Sequence, residues 1–238
     1  MTTGRAEWVA PTLDAAEPCG DLGVRALYDA IQSDFVKLRS DWAFYEFVYG
    51  QREVVELLNE ASGPTTGLMQ EAIDSLVFLG IAKLTDPARQ GSNRNASLHA
   101  LVADTGLSED VTSRLSSLCG HVRKHRSSRL AHTDRTWRLG AKDLPDVCRV
   151  DITAVLDEIG HILSVVARTL GAEETDASWW ARGKDEAIEF VNVVRIGLEE
   201  RKMRVSAWHS SRSVEDKAAA EEVLRPAWLF NPHAEMEG

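Results

Sequence analysis

The segment VRALYDAIQSDFVKLRSDWAFYEFVYG, residues 24–50, carries apolar or aromatic side chains at Val24, Leu27, Tyr28, Ile31, Phe35, Leu38, Trp42, Tyr45 and Tyr49. Steps of three and four put these on one side of an α-helix and exclude a strand, whose side chains alternate with a period of two. Gly50 follows where a helix stop is expected. The same period recurs along most of the chain. A short helix is expected over residues 52–61, broken by Ser62-Gly63-Pro64. Residues 68–84 are apolar on most sides, which predicts a central, buried helix stopped by Asp86-Pro87. Residues 90–95 read as a polar loop and 97–104 as a short helix. Ser108 followed by Glu109 and Asp110 reads as a cap with acids in the first turn, opening a helix to about Leu139. Asp151 is expected to cap a helix with the stripe Ile152, Val155, Leu156, Ile159, Ile162, Leu163, Val166 and Leu170, closed by Gly171. A long helix over about 177–205 turns Ile188, Val191, Val194 and Leu198 inward, and a weak polar helix covers about 214–224.

No strand pattern and no internal repeat is visible, so the expected fold class is all-α, a helix bundle of about six to eight helices. The expected organisation is a mobile N-terminal arm (1–20), a helical domain (21–205) and a weakly helical C-terminal tail (206–238).

Composition narrows the function classes. The chain has 238 residues, a net charge of −10 and 44% hydrophobic residues, enough for a sizeable core and too apolar for a disordered protein. No apolar run reaches the ~18–20 residues that cross a bilayer, so no membrane association is expected. Residues 1–20 hold Arg5 with no apolar stretch behind it, so no secretory signal is expected. Three scattered cysteines, Cys19, Cys119 and Cys148, do not make a disulfide framework, and a cytoplasmic location is the default. The acidic balance argues against a whole-surface affinity for nucleic acid, but not against a local basic groove.

One segment departs from this pattern. The inward stripe of the helix opened by Ser108 begins with Val111, Leu115, Leu118 and Val122. At the same spacing the next inward positions are His125 or Arg126, then Arg129, then His132 or Thr133. Between His121 and Arg138 lie six cations (Arg123, Lys124, Arg126, Arg129, Arg135, Arg138) against the single acid Asp134, with three of the seven histidines, His121, His125 and His132. Charge runs are usually solvated helix faces. These occupy the side that should face the core, where an unpaired cation costs several kcal/mol. Three explanations are open: carboxylates such as Asp74, Asp86 or Glu158 pair with the arginines; the helix emerges from the core at Val122; or the stripe lines an anion-binding groove, for which the planar guanidinium fork is suited.

The string Arg126-Ser127-Ser128-Arg129-Leu130-Ala131-His132-Thr133-Asp134 resembles the Arg-x(4–6)-His signature of the HEPN superfamily of small all-α domains. The wording Leu-Ala-His-Thr-Asp is similar to that of its AbiU-type abortive-infection branch. So are the aromatic-rich first helix around Trp42 and Tyr49, and the helix ending Ala82-Lys83-Leu84-Thr85-Asp86. The resemblance covers about residues 22–205. It implies a HEPN-like core and a metal-independent endoribonuclease of a phage-defence or toxin-type system, active in a dimer cleft and leaving 2′,3′-cyclic phosphate ends. It further implies RNA as substrate, a homodimer, an antitoxin or other defence-system partner, and no cofactor or metal. Arg126 and His132 are then the catalytic residues: His132 as general acid/base near its ordinary pKa of ~6.5, Arg126 stabilising the phosphorane. Arg129 and Arg123 would position the backbone, with His125, Ser127, Thr133 and Asp134 completing the substrate-binding set. Many members carry Asn, Asp or His directly after the motif arginine. Ser127 stands there in this chain and offers fewer hydrogen bonds than an amide.

On a regular helix, residues six apart sit roughly 120° apart. Arg126 and His132 therefore converge on one phosphate only if the helix is distorted, Arg126 swings around, or a second subunit contributes. By plain helical geometry His125, Arg129 and His132 align better. A zinc pair of His121 and His125 lacks a third ligand nearby in sequence, Glu158 and His161 read as surface and edge residues, and Trp179-Trp180 reads as packing. Neither a P-loop nor a Gly-x-Ser-x-Gly elbow is present. The alternative to an enzyme is a non-catalytic helical module binding RNA, a nucleotide or a protein partner.

Overall fold

The computed structural model describes residues 21–126, 147–174 and 179–211, with 213–215, 217, 218 and 221 beyond them. Among the described residues there are six α-helices: α1 (Asp21–Gly50), α2 (Arg52–Thr85), α3 (Leu98–Asp104), α4 (Ser113–Arg126), α5 (Arg149–Leu170) and α6 (Trp179–Ser210). The chain is an all-α bundle. The first and last residues expected to form an arm and a tail lie largely outside the described residues.

The aromatic stripe of residues 24–49 makes α1 the hub, in contact with α2, α3, α5 and α6. Tyr28, Ile31 and Phe35 are each 1% exposed and meet the α5 stripe, where Val155, Leu156, Ile159, Ile162, Leu163 and Val166 are fully buried. The Trp42 indole donates to Thr153 Oγ1 at 3.0 Å, and that hydroxyl donates to Glu46 Oε1 at 3.1 Å, clasping α1 to α5. At the other end of α1 a smaller cluster joins Val48, Tyr49, Val54 and Leu58 to Ala187 of α6. Here α6 crosses α1 closely: a Cβ on Gly183 would lie 2.2 Å from the Ser40 carbonyl oxygen, so only glycine permits the contact.

Several expectations need correcting. The break expected at Ser62-Gly63-Pro64 is not among them: residues 52–85 are two helical stretches that meet at a kink. Ser62 leaves the helical backbone (φ −168°, ψ 84°) ahead of Pro64, and the Thr66 hydroxyl donates to the carbonyls of Leu58 and Ser62 at 3.1 and 3.0 Å. The second part of α2 is not a central buried helix. Val77, Phe78, Ile81 and Leu84 face α1 and α4, whereas Leu68, Leu76 and Leu79 are 69%, 55% and 43% exposed, because neighbours cover only one side. The buried helix is α5.

The loop after Pro87 holds a two-residue antiparallel hairpin, β1 (Arg89–Gln90) with β2 (Asn93–Arg94), turning at Gly91 with φ 64°. Asp151 is not the cap of α5. It sits in the first turn and accepts the Cys148 backbone N–H at 2.8 Å, as the reciprocal half of a capping box does. Ile188 is exposed: the Gly183 crossing fixes the rotation of α6 so that Ala187, Val191, Val194 and Leu198 point inward, one residue off the expected start.

Candidate functional site: the cleft along α4

Ser108 caps the element as expected, and the expected end near Leu139 lies outside the described residues. Its hydroxyl accepts the Asp110 N–H at 3.3 Å and opens a 3-10 turn, Glu109–Thr112, before α4 begins at Ser113. Leu115, Cys119 and Val122 then form the inward stripe of α4, each 0% exposed. At the next inward step His125 is half-buried and stacks on Phe78 of α2, ring centroids 4.5 Å apart and 19° between planes. This is the geometry of a packed histidine continuing the core. His121 and Lys124 are exposed. Among the described residues no three His, Cys, Asp or Glu side chains gather as metal ligands, so the His121/His125 zinc pair gains nothing.

Arg123 behaves differently from its neighbours. It is half-buried, and its Nε and Nη2 are buried with no hydrogen-bond acceptor. Among the described residues it forms no ion pair. The carboxylate nearest in expectation, Glu158, is taken by Arg114 at 3.3 Å. Glu158 is itself 8% exposed on α5, not the surface residue its sequence context suggested. Among the described residues, internal ion pairing does not account for Arg123.

Arg123 lines an open cleft of about 620 Å³. One wall is the face of α4 that carries Ser113, Ser116 and Arg123, at helical spacing. Gly120, in register between them, has no heavy atom within 4 Å of where a Cβ would stand. The opposite walls come from Pro87 and Ala88, from His99 and Val102 of α3, and from Glu109 and Asp110 of the 3-10 turn. His99 is placed by the short helix α3, whose cap residue Ser97 is fully buried and accepts the Ala100 N–H at 3.4 Å. Burial holds the His99 imidazole below its ordinary pKa. The positive charge of Arg123 adds to this, and Glu109 opposes it. The Cys119 thiol is raised, by burial first. Thr85 and Arg123 pull it the other way, and the net result keeps it protonated and inert.

Of the expected site, the structure places Arg123 in a cleft and His125 in packing. Arg126 is the last described residue of α4, three positions after Arg123. Ser127, Arg129, His132, Thr133 and Asp134 lie outside the described residues, as do the side chains of Trp179 and Trp180. His99 was not foreseen. It stands 24 positions before Arg123 in the sequence, and the packing of α3 on the 3-10 turn that leads into α4 brings the two to one cleft.

The family model described as AbiU2 (HEPN_AbiU2) matches residues 21–179, two-thirds of the chain. The chain belongs to the AbiU2 family of HEPN domains. No curated protein and no solved structure matches this AbiU2 chain in the same comparisons. Among the described residues no helix is long and apolar enough to cross a membrane.

Proposed function

We propose that this AbiU2-family domain is a metal-independent endoribonuclease of a defence or toxin-type system, acting as a homodimer. The observation that carries the reading is the join between fold and motif. Arg126 follows Arg123 by three residues in α4, Arg123 stands without an acceptor, and Arg126 opens the Arg-x(5)-His spacing to His132.

The chemistry follows from the groups. The ribose 2′-OH attacks the adjacent phosphorus, the P–O5′ bond breaks, and the products carry a 2′,3′-cyclic phosphate and a 5′-hydroxyl. His132 moves the proton, as base toward the 2′-OH or as acid toward the departing O5′. Arg126 offsets the charge that grows on the phosphorane oxygens, and Arg129 and Arg123 orient the strand. Residues six apart on a helix face directions roughly 120° apart, so a second protomer supplying the partner group completes the site. An antitoxin or other defence-system partner would then control a cytoplasmic enzyme.

The test is incubation of purified protein with single-stranded and structured RNA in EDTA, beside His132→Ala and Arg126→Ala. Cutting by the wild type alone supports the reading. Intact RNA, or equal cutting by the variants, ends it. The second reading, a module that binds RNA or a nucleotide without cutting, is favoured by Ser127 after the motif arginine. It predicts binding that falls steeply with salt and tolerates His132→Ala.

A further inference from the structure

We propose that the cleft between α3 and α4 is a binding subsite for a phosphomonoester group, contacted by His99 and Arg123. This deepens the reading above and depends on it only for the physiological ligand, since holding a phosphate requires no cleavage.

Three observations carry it. First, Arg123 lines the cleft while its Nε and Nη2 have no acceptor from the protein. Turning this guanidinium toward an anion in the cleft breaks no hydrogen bond, and a phosphate offers two oxygens to its planar fork. Second, His99 lines the same cavity from α3, and its imidazole senses the Arg123 charge. A dianion between them would reverse that effect and favour the imidazolium, giving the ligand a second charge-assisted donor. Third, Glu109 and Asp110 also line the cavity and are exposed at its mouth. Both carboxylates oppose any anion, and they oppose a strand that brings several phosphates past them more than a single phosphate that reaches Arg123 and His99. The space, about 620 Å³, is of the size that takes a small ligand. Ser116 on the α4 wall provides a hydroxyl for a remaining oxygen or the sugar, while the Ser113 hydroxyl is already donated to the Asp110 carbonyl at 2.8 Å.

A phosphomonoester reaches such a site either as a free small molecule or as the terminal phosphate of a strand, and the two sources are separable. The protein would be titrated with inorganic phosphate, with 5′-AMP, and with 5′-phosphorylated and 5′-hydroxyl forms of one short 2′-deoxy oligonucleotide that cannot be cut. The readout is the His99 ring resonances by NMR, assigned with His99→Gln. Saturable shifts and a rise in the His99 pKa are expected with the phosphorylated ligands. The 5′-hydroxyl strand should bind weaker by on the order of tenfold or more. Arg123→Met should lose the response and Arg123→Lys keep part of it. A response to 5′-AMP alone assigns the site to a free ligand, and one to the phosphorylated strand alone assigns it to a strand end.

The inference is overturned if the His99 ring does not shift, if the hydroxyl strand binds equally, or if a folded Arg123→Met binds as well as wild type. His132→Ala should leave the His99 response to inorganic phosphate and 5′-AMP unchanged, so loss of cleavage and loss of this subsite are read separately.

Discussion

Arg123→Met is expected to make the ligand-free protein more stable, an outcome opposite to that of most substitutions at partly buried positions. The variant keeps an unbranched apolar stem and removes a charged head whose Nε and Nη2 are buried without an acceptor. A buried donor left unsatisfied costs about 1–3 kcal/mol. Arg123 is half-buried rather than sealed, so part of its head keeps its hydration and the net gain should be about 1–2 kcal/mol. For a chain of this size each kcal/mol moves Tm by about 2–4 °C, giving a rise of roughly 2–8 °C. Scanning calorimetry in a buffer free of phosphate and other polyvalent anions measures it. Added phosphate should narrow the difference, because it stabilises only the protein that binds it. A variant less stable than wild type by ~1 kcal/mol or more would mean that Arg123 is held by a stabilising contact, and the case for an anion site would lose its physical basis.

Three further outcomes follow from the geometry. Gly183→Ala should destabilise by about 3 kcal/mol or more, or prevent folding, because its Cβ would stand 2.2 Å from Ser40 O; Gly120→Ala, with open space around it, should cost little, and thermal melts compare the two. His99 has a folded pKa below its unfolded value, so the unfolded state binds the extra proton first: stability is fully present above pH ~6.5 and is lost as pH falls through the lower folded value, and His99→Gln should flatten that loss in pH-dependent denaturant titrations. Thiol titration with an aromatic disulfide should label exposed Cys148 quickly in the folded protein and Cys119 only on unfolding, since Cys119 is 0% exposed with a raised pKa.

The helices were legible where a single face had to be apolar. The α1 stripe from Val24 to Tyr49 and the α5 stripe from Ile152 to Val166 both fill the main core or its satellite, and Gly171 ends α5 in the left-handed conformation at φ 59°. Asp86 takes extended backbone ahead of Pro87, as the steric demand of proline requires. Errors arose where more than one face was apolar. In α2 the sequence cannot say which side the neighbours cover, so Leu68, Leu76 and Leu79 looked as buried as Ile81. In α6 the rotation is set by the Gly183–Ser40 crossing, a tertiary contact with no periodic signature, and Ile188 fell on the wrong side.

The candidate site was legible in part for the same reason. The change from Val122 to a run of cations is a local anomaly, visible without a fold, and the AbiU2 match lends it a context. Which cation enters a cleft is not local. The motif favours Arg126 and His132, whereas Arg123 lines the observed cleft because α3 and the 3-10 turn supply its other walls. His99 belongs to no motif, and Glu158 has no sequence mark to distinguish a buried acid from an exposed one.

The central claim is that the α4 cations serve cleavage of RNA by an Arg–His pair. Its most direct measurement is the end chemistry of RNA fragments produced in EDTA, read by mass spectrometry. The account predicts 2′,3′-cyclic phosphate and 5′-hydroxyl ends from the wild type and none from His132→Ala. Uncut RNA, 3′-hydroxyl ends, or the same fragments from the variant would contradict it.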